Sequence, residues 1–149
     1  MGVFDMLNIS ASALSAERQR AEVTAANLAN AETTHTDAGG PYTRKEVVFS
    51  AAAGSQFHTV FNRLGRFPQT PTGSVQLTQV VDDTTPPLQR YEPGNPDANA
   101  SGYVDYPAIN PATEMVDLMG AVRAYQLNAS AVNAAKQMIQ ESIDILKSS

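Results

Sequence analysis

The side chains best suited to hold a metal ion are Asp97, Asn99 and Ser101, followed by Gly102. Alternate oxygen ligands ahead of a glycine match the opening of a calcium loop, in which the backbone wraps the ion. The twelfth position of such a loop requires a bidentate Glu, but Ala108 stands there behind Pro107, so the stretch reads as an Asx-rich turn. His35 and His58 are the only histidines and Cys is absent. A metal site would therefore need both imidazoles and carboxylates gathered by the fold, and the two read as loop residues. The chain contains no Gly-x-Ser-x-Gly elbow and no glycine-rich phosphate loop, and Asp82-Asp83 reads as a solvated loop. A hydrolase using Asp82 or Asp97 has the weakest support. The sequence predicts no catalytic residues, no cofactor and no metal.

The elements that frame these residues carry the stronger signal. From Asn110 onward, Met115, Leu118, Val122, Tyr125, Ala129, Val132, Lys136, Ile139, Ile143 and Leu146 follow one another at steps of three and four, the spacing of a coiled-coil seam. Only Lys136 breaks it, either as a register-setting residue that meets an acidic partner or as a side chain snorkelling past Ala135. A two-stranded coil places charges beside its seam, yet these flanks include Met119, Ala121, Asn128, Ala135 and Ser142. The side opposite the seam holds Leu127, Met138 and Ile145, where a surface helix would be polar. Asn110 suits the N-cap, Pro111 the first helical position, and Glu114 the positive dipole end.

A second stripe runs through Phe4, Leu7, Ala11, Leu14, Arg18, Ala21, Ala25 and Leu28, with Met6, Ile9, Ala13, Ala16 and Val23 on the other side. Between these helices lie all nine prolines, which exclude long helices there. Short β-favouring runs remain at Tyr42 to Phe49, Phe57 to Leu64, Ser74 to Val81, Leu88 to Tyr91 and Tyr103 to Tyr106. Gly65 to Gly73 and Asp82 to Pro87 read as loops. The expected fold is α+β: long N- and C-terminal helices packed as a coiled-coil-like pair around a small, irregular, mostly antiparallel β insert. Its parts are an N-terminal helix over 1–32, a β-rich insert over 33–111 and a C-terminal helix over 112–149.

Composition narrows the function classes. The net charge of −5 across 149 residues, without a basic run longer than Arg44-Lys45, gives no electrostatic footprint for nucleic acid. No window reaches the roughly 18 apolar residues of a membrane span, and a cleaved secretory signal is not expected. Helices apolar on two sides gain most of their stability from packing. One partner helix covers one side, so the terminal helices are expected to be marginal alone and to order on assembly. A soluble oligomeric binding module with a ligand-presenting β insert is the alternative, and the all-round apolar helices argue against it.

Ala26-Asn27-Leu28-Ala29-Asn30-Ala31 closing the first helix, followed by Pro41-Tyr42 and the run Arg44 to Phe49, resembles the signature of the bacterial flagellar basal-body rod family. Tyr91 to Ala98, Gly102-Tyr103-Val104, Glu114-Met115-Val116 and Arg123-Ala124-Tyr125-Gln126 are similar to its proximal-rod members. The insert around Gln56 to Gly73 looks longer than is usual there. The resemblance implies a non-enzymatic structural subunit of the proximal rod, exported unprocessed through the flagellar type III apparatus into the periplasm. It would polymerise with other rod proteins and copies of itself, inside the basal-body rings, into a shaft that transmits motor torque. The expected assembly interface comprises Leu7, Leu14, Asn27, Leu28 and Asn30 of the first helix. From the last helix it takes Met115, Leu118, Val122, Tyr125, Leu127, Val132, Met138, Ile139, Ile143 and Leu146. For Asn27 and Asn30, hydrogen bonds to a neighbouring chain stand beside local helix ending as alternatives.

Overall fold

The computed structural model describes residues 3–51 and 74–148. The predicted Phe57 to Leu64 strand, the Gly65 to Gly73 loop, the longer insert around Gln56 to Gly73 and His58 lie outside the described residues. Two helices, α1 (Val3–Ala29) and α2 (Pro111–Ser148), bracket four strands: β1 (Lys45–Ala51), β2 (Val75–Asp82), β3 (Leu88–Tyr91) and β4 (Tyr103–Tyr106). β1 pairs antiparallel with β2, and β3 with β4, as two separate two-stranded sheets. The α+β class and the helix pair around antiparallel strands follow the sequence pattern.

The start of α2 obeys its capping residue: Asn110 Oδ1 accepts the Ala112 N–H at 3.0 Å, with Pro111 as the first helical residue. The start of α1 is earlier than Asp5, Asn8 or Ser10 would place it as caps; Asp5 lies in the first turn. Asn27 lies against Glu114, and Arg20 against Asp117, so position falls along α1 as it rises along α2. The two helices are antiparallel and share the insert end. At 1.5 Å per residue α2 is longer than α1 by roughly 16 Å, and the excess lies at its C-terminal tip. From Gln140 to Lys147 every residue is exposed.

The line of α2 that faces α1 is displaced from the predicted seam. Glu114, Ala121 and Ala135 are buried, with Leu118, Asn128, Val132 and Ile139 half-buried between and beyond them. Met115, Val122 and Lys136 are exposed. The contact line keeps Leu118, Val132 and Ile139 but takes Ala121 and Ala135 in place of Val122 and Lys136, a rotation of roughly 50° about the helix axis. The physical reason is side-chain size: alanine lets the α1 backbone approach closely, as Val122 and Lys136 would not. Lys136 therefore breaks no seam. The polar side chains along α2 are satisfied locally: Asn128 Nδ2 and Ser130 Oγ donate to the carbonyls of Ala124 and Gln126 at 3.0 and 2.9 Å.

On α1, Ala11, Arg18 and Ala25 of the predicted stripe are exposed, whereas Ala16, Thr24 and Asn27 are buried. Arg18 pairs with Glu22 at 2.9 Å on the helix surface. The face carrying Ser12, Ala16, Val23 and Asn27 turns to the β1–β2 sheet. Val23 and Thr24 line the same cleft as Val47 and Phe49, and Ser12 Oγ accepts the Val75 N–H at 3.2 Å. A bulge between Val48 and Phe49 shifts the register of β1 on β2. Among the described residues, α1 is thus covered on two sides and α2 on one.

Candidate functional site

At the insert end, polar groups from four segments converge on one carboxamide. Asn27 is 1 % exposed. Its Nδ2 donates to the Lys45 carbonyl at 2.8 Å and to Glu114 Oε2 at 3.3 Å. Its Oδ1 accepts the Lys45 N–H at 2.9 Å and the Tyr42 hydroxyl at 3.2 Å. Asn27 thereby treats Lys45 as a neighbouring strand would, satisfying both backbone groups where β1 begins. Glu114, 2 % exposed, accepts Arg44 Nε at 2.6 Å. Arg44 also contacts Glu46 and stands 3.6 Å from Asp83 Oδ2.

The charges of this junction hold each other. Desolvation works against the Arg44 guanidinium, but hydrogen bonds to Glu114 and Glu46 outweigh it and raise the pKa. Burial raises the Tyr42 phenol, with the charges of Asp82 and Glu114 adding to it. Hydrogen bonds from the Thr85 hydroxyl and N–H lower the Asp83 carboxyl below its ordinary value. This is a lock between the first helix, the first strand and the last helix. The reading of Asn27 as a local helix-ending residue is corrected: its hydrogen bonds within the chain run across the fold. Asn30 does end α1 locally, donating to the Ala26 carbonyl at 2.9 Å and accepting Thr33 Oγ1 at 3.2 Å.

The Asx-rich stretch forms turns. Asn99 Oδ1 accepts the backbone N–H groups of Ser101 and Tyr103 at 2.9 and 3.0 Å, and Asp97 Oδ2 accepts Thr34 Oγ1 at 2.6 Å. Gly102 has φ +80°, and a Cβ there would stand 2.9 Å from Tyr91 Cε2. His35 is exposed in the turn before the first sheet. In the second sheet, Arg90 caps the Tyr106 ring at 4.4 Å, while Tyr106 donates its hydroxyl to Glu92 at 3.0 Å.

The residues expected to meet other chains divide by depth. Leu7, Leu14, Leu28, Leu118, Val132 and Ile139 are half-buried on the helix pair. Met115, Val122, Tyr125, Leu127, Met138, Ile143 and Leu146 are exposed, from 41 % at Ile143 to 78 % at Leu146. Val116, Met119 and Ile145 extend this apolar surface at 60 % or more. What the sequence reading missed is the polar lock, because the partners of Asn27 lie 15 to 87 residues away. One signal was available: Glu114 stands seven residues before Ala121, on the line that packs.

Most of both helices lies in regions shared with a known group of proteins. A family model for flagella basal body rod protein matches residues 7–34, which hold most of α1. A second, for the flagellar basal body rod FlgEFG protein C-terminal, matches residues 100–145, from just before β4 along most of α2. The chain is 38 % identical to the flagellar basal-body rod protein FlgC of Bacillus subtilis, over 99 % of its own length and 100 % of the relative's. The FlgC proteins of Yersinia enterocolitica and Borreliella burgdorferi are 36 % and 31 % identical, over 97 % and 99 % of this chain and 98 % and 99 % of theirs. Similarity of this degree along the whole length, with both helices inside the matched regions, makes the chain a member of the FlgC family of flagellar basal-body rod proteins.

Proposed function

We propose that the chain is a structural subunit of the proximal flagellar rod, polymerising through its terminal helices to transmit motor torque, with no catalytic step. Its partners are copies of itself and other rod proteins. In the same reading it is delivered by the flagellar type III export apparatus, spans the periplasm as part of the rod, and meets the surrounding basal-body rings through its insert. The observation that carries this is the outward face of α2. Leu127 is 66 % and Ile145 68 % exposed on that side, and every residue from Gln140 to Lys147 is exposed among the described residues. Contiguous apolar surface of that kind marks an interaction site, and burying each such side chain contributes about 1.5 to 3 kcal/mol.

The test is Leu127→Glu in the full chain. The purified variant should keep its helix content and unfold within about 0.5 kcal/mol of the parent, as exposed substitutions do, yet fail to enter isolated basal bodies and leave cells non-motile. A normally motile strain would refute the reading. Circular dichroism of dilute monomer adds a second check, because helices that depend on neighbours should gain helicity on assembly.

A further inference from the structure

On the side of the helix pair away from the β1–β2 sheet runs an open groove of about 440 Å³. Ala21 and Ala25 of α1 and Leu118, Ala121, Val122 and Tyr125 of α2 line it, together with Glu17, Arg18 and Glu22, the last two paired with each other. Glu17 Oε2 is buried and has no hydrogen-bond partner. The cations nearby are committed: Arg18 to Glu22 at 2.9 Å, and Arg20 to Asp117 at 3.8 Å on the sheet side. A buried carboxylate oxygen without a donor is costly, and a cation entering with its own apolar surroundings would relieve it.

The chain carries such a group. Lys136 is exposed and makes no ion pair among the described residues. It shares the edge of α2 beside the contact line with Ala129 and Ile143, two turns away on either side, of which Ile143 is 41 % exposed. We infer that this groove receives the Lys136 stripe of α2 from a second copy of the chain, with the Lys136 ammonium meeting the Glu17 carboxylate in an otherwise apolar contact. The inference rests on the rod-subunit reading and names one of its contacts.

Of the two other cations on α2, Lys147 stands in the last turn, where it complements the helix dipole, and Arg123 is distinguished by symmetry. It lies beside Val122 and Tyr125, on the segment that forms the groove, so two copies docked through it would occlude both grooves and stop at a closed dimer. Lys136 lies fifteen residues beyond Ala121, about 22 Å along the helix. Docking through it leaves the second copy's groove free for a third. That contact is heterologous and propagates, as a polymer requires. The same separation prevents Glu17 and Lys136 of one copy from meeting each other.

The experiment exchanges charges in the full chain in flagellated cells. Glu17→Lys and Lys136→Glu should each lower incorporation into basal bodies by at least about tenfold, since facing like charges cost several kcal/mol. The double variant should recover most of the loss, and Glu17→Lys with Arg123→Glu should not. Because the chain has no cysteine, Glu17→Cys and Lys136→Cys copies carrying different tags can be co-expressed and treated with a short bis-maleimide. A product joining the two tags in purified basal bodies supports the contact, even where Glu17→Lys proves too unstable to judge. Both cysteine variants entering the basal body without that product, or Lys136→Cys joining only a different protein, overturns it. Absence of the parent chain from purified basal bodies would instead overturn the rod reading itself.

Discussion

The two ends of the helix pair use opposite means of holding a helix in place. At the insert end, α2 is fixed by directional bonds: Glu114 to Arg44, and Glu114 through Asn27 to the backbone of Lys45. At the other end, α2 runs past α1 among the described residues, and its large side chains, Met138 at 45 % and Leu146 at 78 % exposed, are accessible. Directional polar contacts specify one geometry within a chain. Non-directional apolar contacts leave the geometry to whatever packs on them. One helix thus carries an end that fixes the subunit's own fold and an end left for its neighbours.

Breaking the lock should have the largest effect on the isolated chain. Arg44→Ala leaves the Glu114 carboxylate buried with only Asn27 as donor, and should lower stability by about 3 kcal/mol. That is the low end for a broken buried pair, because the Arg44 side chain is 22 % exposed. Replacing both partners, Arg44→Met with Glu114→Leu, should recover most of it, since an apolar pair of similar size removes the orphan charge. Urea unfolding measures both. A single variant as stable as the parent would show that the pair is ornamental.

Asn27→Ala comes next, at about 2 to 3 kcal/mol, because it strands the Lys45 N–H and carbonyl together. Its signature is faster amide hydrogen exchange at Lys45, and unchanged exchange there would show that the clamp is dispensable. Gly102→Ala should cost about 1 to 3 kcal/mol through the left-handed backbone at that position. It should loosen the β3–β4 sheet without touching α2, and nuclear magnetic resonance shifts confined to residues near Tyr91 would confirm it. The smallest effect belongs to Asp83. Its folded pKa is lowered, by the Thr85 hydroxyl first, so its contribution is present above the ordinary carboxylate value of about 3.9 and is lost as pH falls through the lowered one. Thr85→Val should move the Asp83 titration upward toward the ordinary value. A carboxyl-carbon titration unchanged by that variant would overturn the assignment.

Much of this was legible because it depends on neighbours in sequence. The strands Leu88–Tyr91 and Tyr103–Tyr106 occur with the bounds that β-favouring residues between turn formers imply. The Asn110 cap and the Asx turns at Asn95 and Asn99 likewise form from residues two to four apart. The facing line of α2 was misplaced because periodicity counts hydrophobicity and ignores volume. Val122 outranks Ala121 on any hydropathy scale, yet Ala121 is 0 % exposed and Val122 44 %. Asn27 was read from its nearest neighbours, and its actual partners lie on β1 and α2.

The sequence by itself determined the helix, insert, helix order, the caps and turns, the family, and the excess of apolar surface on α2. Each of these is a property of local spacing or of side-chain type. Only the tertiary structure decided which side of each helix faces inward, that Glu114 in the first turn of α2 is also a buried ion-pair partner, and that Lys136 stands clear of the helix pair. Those choices depend on how closely two backbones can approach and on whether a polar group finds a partner far along the chain. Neither quantity is written in any one segment.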